Sequence, residues 1–104
     1  MNKFSSQKKI KIPESFQGIL WSRDVKKLSL ERDKTYIIHQ VLSYGMLEQI
    51  RWLLRVYGEE EVRKVFKETP MKVYHPSTFY FIKNIILNLK RKTIPSEKYV
   101  TTLY

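Results

Sequence analysis

Apolar residues recur at helical spacing along the middle of the chain. Ile37, Ile38, Val41, Leu42 and Tyr44 follow the i, i+3, i+4, i+7 rule, which predicts a helix over residues 31–44 with a left-handed stop at Gly45. Met46, Ile50, Leu53 and Tyr57 make a second stripe over residues 46–57, widened by Leu47 and Leu54. Glu48, Arg51 and Arg55 lie opposite that stripe, and Gly58 ends it. Val62, Val65 and Phe66 define a third helix over residues 59–68. Its first turn carries Glu59, Glu60 and Glu61, where the helix dipole favours acids. Glu59 with Arg63 and Glu60 with Lys64 are i,i+4 pairs in the favourable order, and Pro70 stops the helix. A fourth helix is predicted over residues 76–90, with Pro76 in its first turn and Ser77 or His75 as cap. Phe79, Ile82, Ile86 and Leu89 form its core stripe, widened by Phe81 and Ile85. Lys90, Arg91 and Lys92 sit at its negative end.

The flanks read differently. Phe16, Ile19, Leu20 and Trp21 cluster around Gly18 as a docking turn, and Ser22 or Asp24 is placed to cap a short turn through Leu28. Residues 9–12 alternate Lys and Ile, and residues 99–104 are β-branched and aromatic, so both ends read as extended arms or as one small β ribbon. The fold class is all-α: a compact bundle of four main helices with extended basic terminal arms. Residues 14–92 form the single helical domain, between an N-terminal arm at 1–13 and a C-terminal arm at 93–104. The expected core is Ile38, Leu42, Ile50, Leu54, Val65, Phe66, Phe79, Ile82 and Ile86.

Charge sharpens this picture. The chain has 20 bases and 10 acids, a net charge of +10. Residues 1–13 hold Lys3, Lys8, Lys9 and Lys11 and no acid, and residues 88–104 hold four bases against Glu97. The middle is near balance. The absence of Ala and the abundance of Lys, Ile and Tyr are also what an AT-rich genome writes at neutral positions. There is no Cys, which removes disulfides and thiolate chemistry. The longest apolar run, at Phe79 to Ile82, falls far short of the ~20 residues of a membrane span. The lysine-rich start lacks the apolar stretch of a secretory signal, so a cytoplasmic location is expected.

Candidate chemistry is sparse. His39 and His75 are far apart and have no ligand-spaced neighbours, so no metal or other cofactor is expected. His39 reads as a partly exposed helix residue and His75 as a cap. Three scattered glycines make no phosphate-cradling loop, and no nucleophile–base arrangement stands out. The expectation is a protein that is not an enzyme. Short helices joined at glycines also invite a helix-turn-helix reading. Against it, Leu54 and Val41 occupy the small-residue position before the two glycines, and a helix opening on three glutamates is poorly suited to a DNA groove. Nucleic-acid binding therefore stands as the alternative. The leading expectation is an acidic protein partner met by Lys8, Lys9, Lys11, Lys90, Arg91 and Lys92, with Arg51 and Arg55 as a secondary patch.

The order Ile19-Leu20-Trp21, Tyr36-Ile37-Ile38, Val41-Leu42, Gly45, Trp52-Leu53-Leu54, Tyr57-Gly58, then Pro76 with Thr78 and Phe79, resembles a family of small prokaryotic helical proteins of unassigned function. Members of that family often accompany nucleotidyltransferase toxins of the abortive-infection type. The resemblance implies an antitoxin-like or accessory role and carries over no functional residue. It spans about residues 16–89. The chain departs from the pattern at Ser22, at His39-Gln40 and at Tyr80-Phe81.

Overall fold

Gly45 and Gly58 divide the central apolar pattern into three helices that pack on one another in every pairing. The computed structural model describes residues 11–101. The 3-10 turns Glu14–Gly18 and Val25–Lys27 precede α1 (Lys34–Tyr44), α2 (Leu47–Tyr57), α3 (Glu59–Glu68) and α4 (Pro76–Phe81). Asp24 caps the second of these turns by accepting from the Lys26 N–H. The all-α class predicted from spacing is what the chain adopts.

Gly58 takes φ 87°, a backbone region that favours glycine. Gly45 corrects the expected left-handed stop: its φ is −77° and its ψ 156°, ordinary extended backbone. Glycine is needed there for space. A Cβ would lie 2.5 Å from the Val41 carbonyl oxygen and 3.3 Å from the Gln49 Cβ. The junction is tight because α1 and α2 turn on two residues, Gly45 and Met46.

Helix α1 begins at Lys34 rather than at residue 31 because Asp33 organises a separate turn. Its carboxylate accepts from the Ser29 N–H at 2.9 Å and from Arg32 and Arg23 at 2.8 and 3.0 Å. The Ser29 bond first, then the Arg32 guanidinium, holds the Asp33 carboxyl below its ordinary range. Glu61 of α3 pairs with Lys34 of α1, and Glu59 pairs with Arg63 at 3.5 Å. Among the described residues Glu60 and Lys64 form no ion pair.

Seven of the nine expected core residues are buried; Leu54 and Ile86 are partly buried at its edge. In α2 the inward face is Ile50, Leu53, Val56 and Tyr57. Trp52 lies at the edge and meets Phe16 edge-on at 4.8 Å. Helix α4 is shorter than the expected 76–90. After Phe81 the chain widens into a π-helical turn, Ile82–Ile86, closed by the Leu87 N–H on the Ile82 carbonyl at 2.8 Å. The wider turn brings Leu87 inward in place of Ile86. Asn88, at φ 56°, then ends the helix, and the Leu89 N–H bonds the Lys83 carbonyl.

His39 corrects the reading of a partly exposed residue: its side chain is wholly buried. Its Nε2 lies 2.7 Å from the Thr69 carbonyl oxygen, which can only accept, so Nε2 carries the proton. Its Nδ1, also at 2.7 Å, then accepts from the Tyr74 hydroxyl. Phe66, Tyr74 and Tyr99 ring the imidazole. Tyr99, in the stretch read as an arm, is 1% exposed and donates its hydroxyl to the Phe66 carbonyl. Around it Tyr74 and Val100 form a parallel bridge, with the Tyr74 N–H on the Tyr99 carbonyl and the Thr101 N–H on the Tyr74 carbonyl, both at 2.9 Å. The C-terminal pairing thus runs to Tyr74; of the ribbon expected between residues 9–12 and 99–103, residues 11 and 12 form no bridge among the described residues, and 9, 10, 102 and 103 lie outside them.

Three measurements follow from this packing. Leu53→Ala should lower unfolding free energy by ~2–5 kcal/mol in a denaturant titration, and Leu54→Ala by about half as much, since only Leu53 is fully enclosed. Gly45→Ala should cost ~1–3 kcal/mol through the Val41 clash, whereas Gly18→Ala, with open space around it, should stay within about 0.5 kcal/mol. Burial pushes His39 down from 6.5 to about 4, against a smaller opposing effect of the Thr69 bond. The unfolded chain therefore takes up this proton first, and the stability His39 supplies above pH 6.5 is lost as pH falls toward 4. The loss should be about 3 kcal/mol in pH-resolved urea titrations, and His39→Gln should remove that step.

Candidate docking groove

The α1–α2 corner leaves large apolar side chains in solvent. Met46 is 72% exposed, and Leu47 and Tyr44 are also exposed. The corner is held in place: Gln49 Oε1 accepts from the Met46 N–H at 2.7 Å, and the Gly45 N–H bonds the Val41 carbonyl. Tyr44 meets Trp21 edge-on at 4.8 Å. The strand of chain carrying Trp21 is fastened along α1 by Gln40 on the Ile19 carbonyl and by Ser22 on the Tyr36 hydroxyl, both at 2.8 Å.

Helix α4 faces this corner across an open groove of about 420 Å³. Leu42, Ser43, Gly45 and Ile50 line one side, and Ser77, Thr78, Phe81 and Ile82 the other. The Ser43 hydroxyl is engaged with the Val73 carbonyl at 2.7 Å. Phe81, one of the lining residues, is exposed, and Ile85, four residues further on, is 62% exposed. At the π-helical turn Ile82, Lys83 and Leu87 are buried and Ile85 is left outward. Exposed apolar clusters of this kind mark interaction surfaces.

No acid or base lines the groove. Elsewhere, among the described residues, no three His, Cys, Asp or Glu side chains come together as a metal site. Every buried side-chain nitrogen or oxygen among them has a partner. His39 and Asp33 are both held in structural hydrogen bonds. Lys83 bonds the side chain of its neighbour Asn84 at 3.1 Å.

Of the residues singled out by charge, Lys8 and Lys9 lie outside the described residues. Lys11, Arg51, Arg55, Lys90, Arg91 and Lys92 are all exposed. Arg51 and Arg55 follow one another at i,i+4 on the exposed side of α2. Lys90, Arg91 and Lys92 share a turn beyond the helix end, closed by the Lys92 N–H on the Leu89 carbonyl at 3.0 Å. They therefore do not sit on the last turn of a helix as expected. No hydrogen bond or ion pair links the two groups among the described residues.

Sequence reasoning assigned Met46, Leu47, Phe81 and Ile85 to core stripes; the structure places all four in solvent. The available signal was excess width, since one helix buries about three or four apolar positions per two turns.

No helix among the described residues is long and apolar enough to cross a membrane. No curated protein and no solved structure matches the chain. A family match covers α1, α2 and nearly all of α3, so it includes the corner side of the groove and stops short of the α4 side. Over residues 16–66 the chain is similar to a family of unknown function, DUF6922.

Proposed function

We propose that this is a non-catalytic protein that works by docking an acidic protein partner, with an antitoxin-like or accessory role toward a nucleotidyltransferase-type toxin in the cytoplasm of a prokaryotic cell. The observation that carries the reading is the set of large apolar side chains left exposed at the α1–α2 corner and on α4, Met46, Leu47, Phe81 and Ile85, in a protein of net charge +10. Apolar surface supplies affinity on burial, and surrounding cations steer an acidic partner toward it. The choice of toxin comes from the family resemblance. Enzymes that transfer nucleotides hold their metals on carboxylates, so their clefts are acidic targets.

Nucleic-acid binding is the second reading, favoured by the exposed bases Arg51, Arg55, Lys90, Arg91 and Lys92. It is weakened by the glutamates that open α3, and by an α2–α3 junction of one residue where a helix-turn-helix uses three or four. Co-expression with the product of the adjacent gene, followed by affinity capture, separates the two. A stoichiometric protein complex is the expected result. Retention of duplex DNA at physiological salt, with no protein captured, would refute the proposal.

A further inference from the structure

We propose that the turn at Lys90, Arg91 and Lys92 is a processing site for a protease specific for basic residues, and that a cut there frees the C-terminal strap, residues 93–101, from the aromatic pocket it closes. The site is independent of the partner-binding reading above. Lys90, Arg91, Lys92 and Thr93 are all exposed. From residue 90 to 94 the backbone makes a single bond among the described residues, the Lys92 N–H on the Leu89 carbonyl. Asn88, at φ 56°, has ended the helical turn before it, and the 3-10 turn Ser96–Lys98 begins only after it. A protease must draw several residues into extended form, and exposed segments with few bonds open most readily. The other bases between residues 12 and 101 are held better. Those of α1, α2 and α3 lie inside helices, and Lys83 lies in the π-helical turn. The Lys27 carbonyl accepts from Arg32 at 2.8 Å, and the Arg23 carbonyl from Gln17 at 2.7 Å. The N–H groups of Lys26 and Arg32 are donated to the side chains of Asp24 and Ser29. Lys72 is followed by Val73, whose N–H bonds the Met71 carbonyl and whose carbonyl accepts from Ser43. Lys98 is followed by the buried Tyr99.

The strap hangs on one deep anchor. The Tyr99 ring sits against Phe66, Phe79 and Tyr74 at centroid separations of 4.8, 5.1 and 6.1 Å, and its hydroxyl reaches the Phe66 carbonyl. Two backbone bonds to Tyr74, both at 2.9 Å, align it, while Ile94 and Val100 are only partly buried. Paired main chain with a pocket for one side chain is the way an extended peptide adds to a strand edge. In the intact chain that peptide is tethered, which keeps its local concentration high; severing the tether removes the advantage. The cut needs only water. Across the Lys92–Thr93 bond, for example, the carbonyl carbon of Lys92 gains the hydroxyl and leaves as a carboxylate, and the Thr93 nitrogen gains the proton as a new amino terminus. The pocket thereby vacated, bordered by His39, Phe66, Tyr74 and Phe79, takes an extended peptide that carries a tyrosine.

The test treats the full chain with trypsin at neutral pH and follows it by intact-mass spectrometry. Within residues 12–101 the first cut should fall after Lys90, Arg91 or Lys92, at least ~10-fold faster than at any other base. Gel filtration of the nicked protein at about 10 µM should separate the C-terminal peptide from the remainder. The melting temperature of the nicked protein should fall, and an excess of synthetic peptide 93–104 should restore it. The same peptide with Tyr99→Ala should not. Lys90→Gln, Arg91→Gln and Lys92→Gln combined should abolish the fast cut and leave the thermal melt near wild type, because all three side chains are exposed. A faster cut elsewhere within residues 12–101 would overturn the processing site. A C-terminal peptide that stays bound through gel filtration would overturn the release of the strap, and so would restoration of the melt by the Tyr99→Ala peptide.

Discussion

His39 bonds two segments that lie thirty or more residues away in the chain. On α1 it faces inward with no water to satisfy it, so both ring nitrogens need protein partners. The Thr69 carbonyl, just past α3, accepts from Nε2, and the Tyr74 hydroxyl, just before α4, donates to Nδ1. These bonds fix the neutral tautomer and the path of the connection between α3 and α4. Tyr74 in turn pairs its backbone with Tyr99 and Thr101. The C-terminal segment is thereby fastened to the helical core in two ways, through the Tyr74 backbone and through the Tyr99 hydroxyl on the Phe66 carbonyl. Rings of Phe66, Phe79, Tyr74 and Tyr99 pack at 4.8–6.3 Å centroid separations and enclose the site.

That anchoring sets the position of α4, and α4 supplies the second side of the groove. Phe79 enters the aromatic cluster, which leaves Phe81 on the opposite side of the helix. The π-helical turn then shifts which residues face inward. Leu87 is fully buried and Ile85 stays outside. At the facing corner the Gly45 backbone leaves no space for a side chain, and Met46 and Leu47, which follow it, are exposed. The buried interior is fully satisfied; the apolar surface left over is concentrated at the corner and along α4.

Helical class, the approximate positions of the helices and most of the core followed from the sequence by itself. Spacing at 3.6 residues places Ile37, Ile38, Val41, Leu42, Ile50, Leu53, Val62, Val65 and Phe66 inward without reference to any partner, and the structure buries all nine. The exposed bases were equally legible, because a cation without a buried partner stays in water. Tertiary structure alone decided three matters. The role of His39 depends on Thr69 and Tyr74, which spacing within α1 cannot anticipate. The burial of Tyr99 depends on the Tyr74 bridge, while the sequence there reads only as extended. Met46, Leu47, Phe81 and Ile85 have the composition of core residues, and whether an apolar side chain is covered depends on which helix lies above it. Periodicity identifies the face of a helix that prefers burial; only the packing of the other helices determines how much of that face they reach.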